Sequence, residues 1–327
     1  MIIILLTTIT LAVALLPHIA YVIAKLLSLL FHFHVRYSPF AYAALGMVGV
    51  WLCLFAYGNL YGRFFHETKD VEIPCNGLPD SFKGYRIVHL SDLHLDGYVG
   101  NEGKLLDIVR EVNAQKPDLI CFTGDLISID KSEMNTCIPI LKQLKAKDGI
   151  VSVMGNHDYM PYNHSLTHRQ RWENVAELQR MEREQLGWKL LLNENIFIRR
   201  GNDSIAIAGC ENQSMGVHSI IQRGNLSKAL AGTEDCFRII LTHDPTHWKG
   251  EILQQARGKK DGTLTLAGHT HAGQFRLFGF SVARFIYDEY EGLYSEGHQH
   301  LYINIGLGGT MPMRIGATPE VTLITLK

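Results

Sequence analysis

A chain of 327 residues with 46% hydrophobic content is long enough for one large domain together with a membrane segment. Its formal net charge of −1 and pI near 7.0 offer no global basic face, which disfavours a nucleic-acid partner held through its phosphate backbone. Partners have to be argued from local features.

Residues 1–24 carry no charged side chain and are dominated by Ile, Leu, Val and Ala. That meets the roughly 20-residue requirement for crossing a bilayer, and a transmembrane helix is expected over about residues 2–24. A cleaved secretory signal fits less well, because a basic n-region is lacking and the apolar stretch exceeds an h-region. Pro17 and His18 fall inside this span, where proline can kink a helix. A second uncharged run, Pro39 to Leu60, has Tyr42, Trp51, Tyr57 and Tyr61 in or beside it, residue types that favour the headgroup level, and predicts a second span over about 39–61. Residues 1–67 therefore read as a membrane anchor in the lipid bilayer of the cell (inner) membrane.

Lys25 and Arg36 between the spans, against Arg63 and Lys69 beyond them, leave the positive-inside count nearly even. Cys53, Cys75, Cys121, Cys137, Cys210 and Cys236 form no CxxC pair, a usage that suits a reducing compartment and favours a cytoplasmic catalytic domain.

Residues 68–84 read as a linker and first strand region punctuated by Pro74, Gly77 and Pro79. Beyond it, strands are expected over 85–90, 118–123 and 149–154, with helices over 102–113 and 132–145 between them. This βαβαβ alternation marks an α/β domain. Further strands are expected at 237–241 and 263–267, and the runs at 204–209, 300–305 and 321–326 supply a second sheet.

The loops at the strand ends carry the chemistry. Ser91-Asp92-Leu93-His94, Gly124-Asp125, Gly155-Asn156-His157-Asp158, Thr242-His243-Asp244 and Gly268-His269-Thr270-His271 each stand just past an apolar run. Ligand sites in open α/β sheets collect outside the carboxyl ends of strands, so these loops are expected to converge. Taken singly, an Asp-x-His or Gly-Asp is ordinary turn chemistry. Taken together, and with glycines that let the backbone turn sharply before several ligand-capable side chains, they point to a metal centre.

The set SDLH, GD, GNHD, THD and GHTH resembles the calcineurin-like metallophosphoesterase superfamily over Tyr85 to the C-terminus. The run from His89 to Leu95 is closest to its membrane-anchored phosphoesterases. The resemblance implies a two-sheet β-sandwich flanked by helices over 85–327. It also implies two metals, one held by Asp92, His94 and His271, the other by Asn156, His243 and His269, with Asp125 bridging them. His157 would sit just outside the metals and assist the leaving oxygen or stabilise the transition state, and Asp158 or Asp244 would orient a neighbouring imidazole.

The chemistry is coherent on its own terms. Two divalent ions about 3.5–4 Å apart can share a hydroxide and clamp phosphate oxygens during in-line displacement. Mixed nitrogen and oxygen ligands without thiolate suit Mn, Fe or Zn. Gly306-Leu307-Gly308-Gly309 lacks the Lys-Ser/Thr ending of a phosphate loop and reads as a turn near the site.

Residues 159–188 form an insertion, helical over about 167–185, with two open readings. It is an amphipathic surface helix with Val175, Leu178 and Met181 inward, or it is a lid whose Arg169, Arg171 and Trp172 contact substrate.

Three functions compete. The first is a metal-dependent phosphohydrolase cutting a phosphodiester or pyrophosphate bond of a lipid-linked substrate, for which the resemblance offers hydrolysis of UDP-2,3-diacylglucosamine in lipid A synthesis. The second is a nucleotide or nucleic-acid phosphodiesterase. The third, a non-catalytic membrane receptor, should have lost ligand positions, and none is lost. A protein phosphatase would show GNHE, where Asp158 stands here, and arginines beside the first loops.

Overall fold

The computed structural model describes residues 2–216, 221–256 and 262–327. Met1, at the head of the first apolar run, lies outside the described residues.

Two long helices lead. α1 (Ile2–Phe31) runs past the expected end at residue 24, and α2 (Ser38–Tyr57) continues as one further turn, Gly58–Gly62. Lys25 and Ser28 do not stop α1: they stand among leucines that favour helix, and the Ser28 hydroxyl donates to the Lys25 carbonyl. Both helices are long and apolar enough to cross a membrane, and most of their large apolar side chains are exposed. They pack on each other through Trp51 Nε1, which donates to Thr10 Oγ1 at 3.1 Å, and through an edge contact of Tyr21 with Phe40.

β1 (Glu67–Ile73) begins five residues after that last turn. β2 (Arg86–Leu90), α3 (Glu102–Ala114), β3 (Leu119–Phe122), α4 (Met134–Leu141), β4 (Ile150–Ser152), α5 (His168–Arg180) and β5 (Lys189–Leu190) come next. Then come β6 (Glu194–Arg200), β7 (Asp203–Gly209), β8 (Phe237–Leu241), β9 (Thr263–Ala267), a hairpin of β10 (Arg276–Leu277) and β11 (Phe280–Ser281), β12 (Gly292–Glu296), β13 (Gln299–Ile303) and β14 (Glu320–Leu326).

The strands form two six-stranded sheets, in the orders β1-β14-β2-β3-β4-β5 and β12-β13-β9-β8-β7-β6. Their side chains alternate as a strand's pleat requires. Ile87, Cys121 and Val151 meet Ile207, Ile239 and Leu264 between the sheets, while Val88, Ile120 and Phe122 face outward onto α3, α4 and α5. Trp248, Ile252 and Leu253 cover the outer face of the second sheet. The result is a mixed α/β sandwich flanked by helices.

Two expectations need correction. The run at 321–326 does not build the second sheet: β14 lies in the first, parallel to β1 and antiparallel to β2. An apolar run has no address of its own, and Asn304, whose side chain donates to both the His89 carbonyl and Thr322 Oγ1, holds β14 beside β2. The helix expected over 132–145 is also shorter, with a capping box of Asp130 and Glu133 opening a single turn before α4, and Pro139 inside α4.

Candidate metal centre

β2, β3 and β4 run parallel in one sheet, as do β8 and β9 in the other, so their carboxyl ends lie on one edge of the sandwich. The five motif loops meet there. Asp92 N donates to Gly124 O, His94 N to Asp125 O, and Gly268 N to His243 O, which knits neighbouring loops within each sheet. Across the sheets, His269 N donates to Asp92 Oδ2 at 3.0 Å and the His243 Nδ1 to Thr123 O at 2.7 Å.

Glycines set how closely these loops approach. A Cβ on Gly155 would collide with the Asp125 carboxylate, and one on Gly268 with Ser91 Oγ and Asp92 Oδ2. The backbone is strained as well: Asp92, His94, Asp125, His269 and His271 all have φ between +47° and +74°. Such conformations cost of order 1–3 kcal/mol each for residues with a side chain. They persist because the loop-to-loop hydrogen bonds leave no alternative path.

The side chains converge. His94 Nε2 stands 3.3 Å from His271 Nε2 and 3.6 Å from Asp125 Oδ2, and His271 Nε2 stands 3.4 Å from Asp92 Oδ1. On the other side, His243 Nε2 is 3.1 Å from Asp125 Oδ2 and 3.2 Å from His269 Nδ1. Among the described residues, Asp92, His94 and His271 form one group able to hold a cation, Asp125, His243 and His269 another, and His94, Asp125 and His157 a third. Imidazole nitrogens aimed at one another a little over 3 Å apart are the spacing that ligands of about 2.0–2.2 Å reach give around a shared ion.

Two further observations fit metal binding. Asp92 Oδ1 and Asn156 Oδ1 are buried without a hydrogen-bond partner, which is costly unless a cation takes them up. The charges around the site are strongly perturbed as well. Burial opposes a proton on His94 and pushes its imidazole down to about 3. Burial, His94 and Arg314 hold His271 well below the ordinary histidine range. Burial works against the charged form of His243 too, but Asp125 and Asp92 outweigh it and lift it to about 10 without metal. Burial opposes the Asp125 carboxylate, yet His243 and His157 keep it ionised.

His157 stands beside the first two groups and shares the third with His94 and Asp125. Its backbone N–H donates to Asp125 Oδ1 at 2.8 Å, and its ring stands edge-on to His94 at 4.8 Å. Nδ1 lies 2.7 Å from the Ser128 carbonyl, which can only accept, so Nδ1 carries the proton and Nε2 is left for the cavity. The Ser128 loop is itself fixed by Glu133, whose carboxylate accepts from the N–H groups of Ser128, Ile129, Asp130 and Asp96.

The expectation that Asp158 orients an imidazole is not met. Its carboxylate accepts from the backbone N–H of Gly155, Asp125, Leu126 and Ile127, and so clamps the Asp125 loop instead. Asp244 comes nearer that role, with Oδ2 at 3.6 Å from His269 Nε2.

Of the three residues offered as substrate contacts, Arg169 is turned to solvent and paired with Glu173. Trp172 packs edge-on against Tyr159 with its indole N–H donating to His168, and Arg171 lies over the Trp172 ring. Val175 and Leu178 hold α5 on the first core. The part of the insertion that reaches the centre is Tyr162, its ring 4.4 Å from that of His157 and its hydroxyl taking a bond from Asn156 Nδ2 at 3.2 Å.

Sequence reasoning missed three residues. Tyr287 places its hydroxyl 3.1 Å from His269 Nε2, and burial and Asp244 push that phenol up to about 12, keeping it neutral. Arg314 is 1% exposed, and burial lowers it to about 10, still charged at neutral pH. Its guanidinium donates to the carbonyls of Ala317, Ile305 and Gly308 and lies 3.1 Å from His271 Nδ1. Glu133 is the third. The turn at Gly306–Gly309 does lie at the site, with Leu307 N and Gly308 N donating to Ser91 O and Asp92 O.

Comparison with known proteins agrees with this geometry. A family model described as calcineurin-like phosphoesterase matches residues 85–273. The chain is 35% identical over 282 residues to a transmembrane protein with metallophosphoesterase domain from Danio rerio, covering 84% of this chain and 60% of that one. It is 31% identical over 285 residues to the uncharacterized metallophosphoesterase YkuE of Bacillus subtilis, covering 83% and 90%. It is 26% identical over 255 residues to the phosphodiesterase YaeI of Escherichia coli, covering 76% and 84%. The chain thus spans most of its bacterial relatives but 60% of the Danio rerio protein's length. It belongs to the calcineurin-like phosphoesterase family.

Proposed function

We propose that the chain is a membrane-anchored phosphohydrolase with two divalent metal ions, cutting a phosphodiester or pyrophosphate bond in a substrate presented at the bilayer. The observation that carries this reading is two ligand groups side by side, linked where His94 Nε2 stands 3.6 Å from Asp125 Oδ2, with Asp92 Oδ1 and Asn156 Oδ1 buried and otherwise unpartnered. Asp92, His94 and His271 would hold one ion, Asn156, His243 and His269 the other, and Asp125 both. The donor set of imidazole, carboxylate and amide suits Mn, Fe or Zn. When bound, such ions polarise the phosphoryl group and activate water for attack.

The chain's own residues do the rest. Asp158 and Glu133 hold the Asp125 and Ser128 loops in register, so that Asp125 and His157 keep fixed positions. In its doubly protonated form, with Nδ1–H tied to Ser128 O, His157 would pass the Nε2 proton to the leaving oxygen and be left as the neutral imidazole. Tyr162 and Tyr287 flank His157 and His269 and give the mouth two aromatic walls. Residues 1–67 act as the anchor and 85–327 as the catalytic domain. The six free cysteines support a cytoplasmic face.

Two spans that join the domain almost without a linker favour a lipid-linked substrate, of which UDP-2,3-diacylglucosamine is the specific candidate. The test is to incubate detergent-solubilised protein and Mn²⁺ with this lipid, simple glycerophosphodiesters and cyclic nucleotides in parallel. Turnover of the lipid above the soluble esters is expected. Equal turnover of the soluble esters with none of the lipid overturns the lipid reading, and no turnover of any ester overturns the enzyme.

A further inference from the structure

The hairpin β10–β11 and the turn after it carry six exposed apolar side chains within ten residues: Leu277 (43%), Phe278 (99%), Phe280 (41%), Val282 (39%), Phe285 (77%) and Ile286 (62%). Soluble surfaces rarely gather such a patch without a partner. Its tip is unusual in another way. Leu277 pairs with Phe280, so the turn is Phe278-Gly279, and both residues have positive φ, +50° and +78°. Hairpins of this kind prefer Asn, Asp or Gly at the first turn position. A phenylalanine there accepts backbone strain while its ring, 99% exposed, packs on nothing among the described residues.

The hairpin stands beside the end of the second apolar helix. Arg276 N donates to Ile315 O at 2.7 Å, and the neighbouring Arg314 N donates to Gly58 O at 3.2 Å. Asn59 Nδ2 donates to Pro312 O at 2.7 Å. The last helical turn, Gly58–Gly62, is thus one short loop away from the hairpin's base. Exposed Leu60, Tyr61 and Phe65 continue the apolar surface on the helix side. Arg284 lies over the Phe280 ring at 5.0 Å, and Phe285 packs on Phe280. Aromatic rings with a basic head beside them are the composition of a bilayer interface.

We propose that this hairpin inserts into the headgroup layer of the bilayer that the two helices cross, as a third membrane contact. The proposal rests on the reading that those helices span. It also has a consequence for the site. Ser281 Oγ donates to Ala272 O, directly after His271, and Tyr287 meets His269, so the inserted segment and two candidate metal ligands share one short stretch of chain. Insertion would hold the mouth of the site at the depth of lipid phosphates.

The experiment uses the full chain reconstituted in phosphatidylcholine and phosphatidylglycerol vesicles containing doxyl-labelled phosphatidylcholine. Phe278→Cys, and separately Phe285→Cys, are labelled with an NBD fluorophore in a Cys53→Ala, Cys236→Ala background; both rings are exposed, and of the two only Phe285 gives up a ring contact, that with Phe280. Lys145→Cys, at the opposite end of the strands, gives the aqueous reference, and labelled native Cys53 gives the reference inside α2. Labels at 278 and 285 are expected to shift to the blue and to lose most of their emission to the doxyl lipid, as at Cys53, while that at 145 does neither.

A probe at 278 as wet and unquenched as that at 145 overturns insertion. A blue-shifted but unquenched probe also overturns it and assigns the patch to a second copy or a protein partner. An unquenched Cys53 overturns it through the spans. None of these readouts depends on turnover, so they are independent of whether the site hydrolyses phosphate esters.

Discussion

The two sides of the metal centre are held by different means. On the side of Asp92, Asp125 and Gly155–Asp158, buried carboxylates accept backbone N–H groups: Asp158 secures the Asp125 loop and Glu133 the Ser128 loop. On the side of His269–His271, buried donors reach carbonyls. Arg314 ties 305, 308 and 317 together, and the Gln274 amide donates to Met311 O and Met313 O. The first side is clamped chiefly by carboxylates of its own loops, with His269 N and Gly308 N also bonding Asp92, whereas the second is continuous with the last turn of the membrane helix through Arg314 and Gly58. A change in the first should act on chemistry and fold alone, and a change in the second should also answer to the membrane.

The largest expected effect breaks both sides at once. Asp125→Ala removes the group proposed to serve both ligand sets and should lower phosphodiester hydrolysis by more than about 10³-fold, beyond the loss typical of one positioned donor. Metal content should fall with it, while circular dichroism stays unchanged. His157→Ala should lower kcat by roughly 10²–10⁴-fold, the range for a positioned proton donor, with metal content intact. Loss of metal in that variant would place His157 among the ligands instead.

Arg314→Ala tests the second side. It strips donors from three carbonyls, at about 1–3 kcal/mol for each buried group left unpaired, and frees the His271 ring. Metal affinity should drop by about 10–100-fold, the usual effect of removing a group that orients a ligand, and added Mn²⁺ should restore part of the turnover. Unchanged affinity in a destabilised protein would confine Arg314 to the fold.

Glu182→Gln probes the first side through pH. Glu182 is buried against Ser152 Oγ, and burial, then the Asp158 charge, lift its carboxyl from 4.5 to about 8. A carboxyl raised on folding contributes full stability below its unfolded pKa and loses it as pH climbs through the folded one. Wild type should therefore lose stability between about pH 4.5 and 8, on the order of a few kcal/mol, and the glutamine variant should lose less. Parallel melting curves for the two proteins across that window would contradict it. The smallest effect belongs to Arg169→Ala, on the exposed face of α5, where turnover should change by less than twofold, about the worth of an exposed ion pair. A large loss there would restore the lid reading.

The same division governs what could be read in the sequence. The motif loops were legible because each stands at the end of a short apolar strand, and strand ends of parallel sheets gather on one edge. Asn156 and His157 share one such loop, and His269 and His271 another. Arg314, Tyr287 and Gln274 carried no comparable signal: each reaches its partner by a contact between loops that no periodicity encodes. β14 was misplaced for the same reason, since a buried strand reads alike in either sheet and Asn304 settles its neighbour. The Asp158 role was misread because a carboxylate beside histidines invites pairing with an imidazole, whereas a one-turn helix at His157–Tyr159 aims it at backbone N–H groups.

In the proposed enzyme, Asp125 joins two metal sites into one centre. Electron paramagnetic resonance of the chain titrated with Mn²⁺ tests that bridge. We expect two Mn²⁺ per chain with the spectrum of an exchange-coupled pair, lost in Asp125→Ala; a single isolated Mn²⁺ signal at saturation, or no binding, would contradict it.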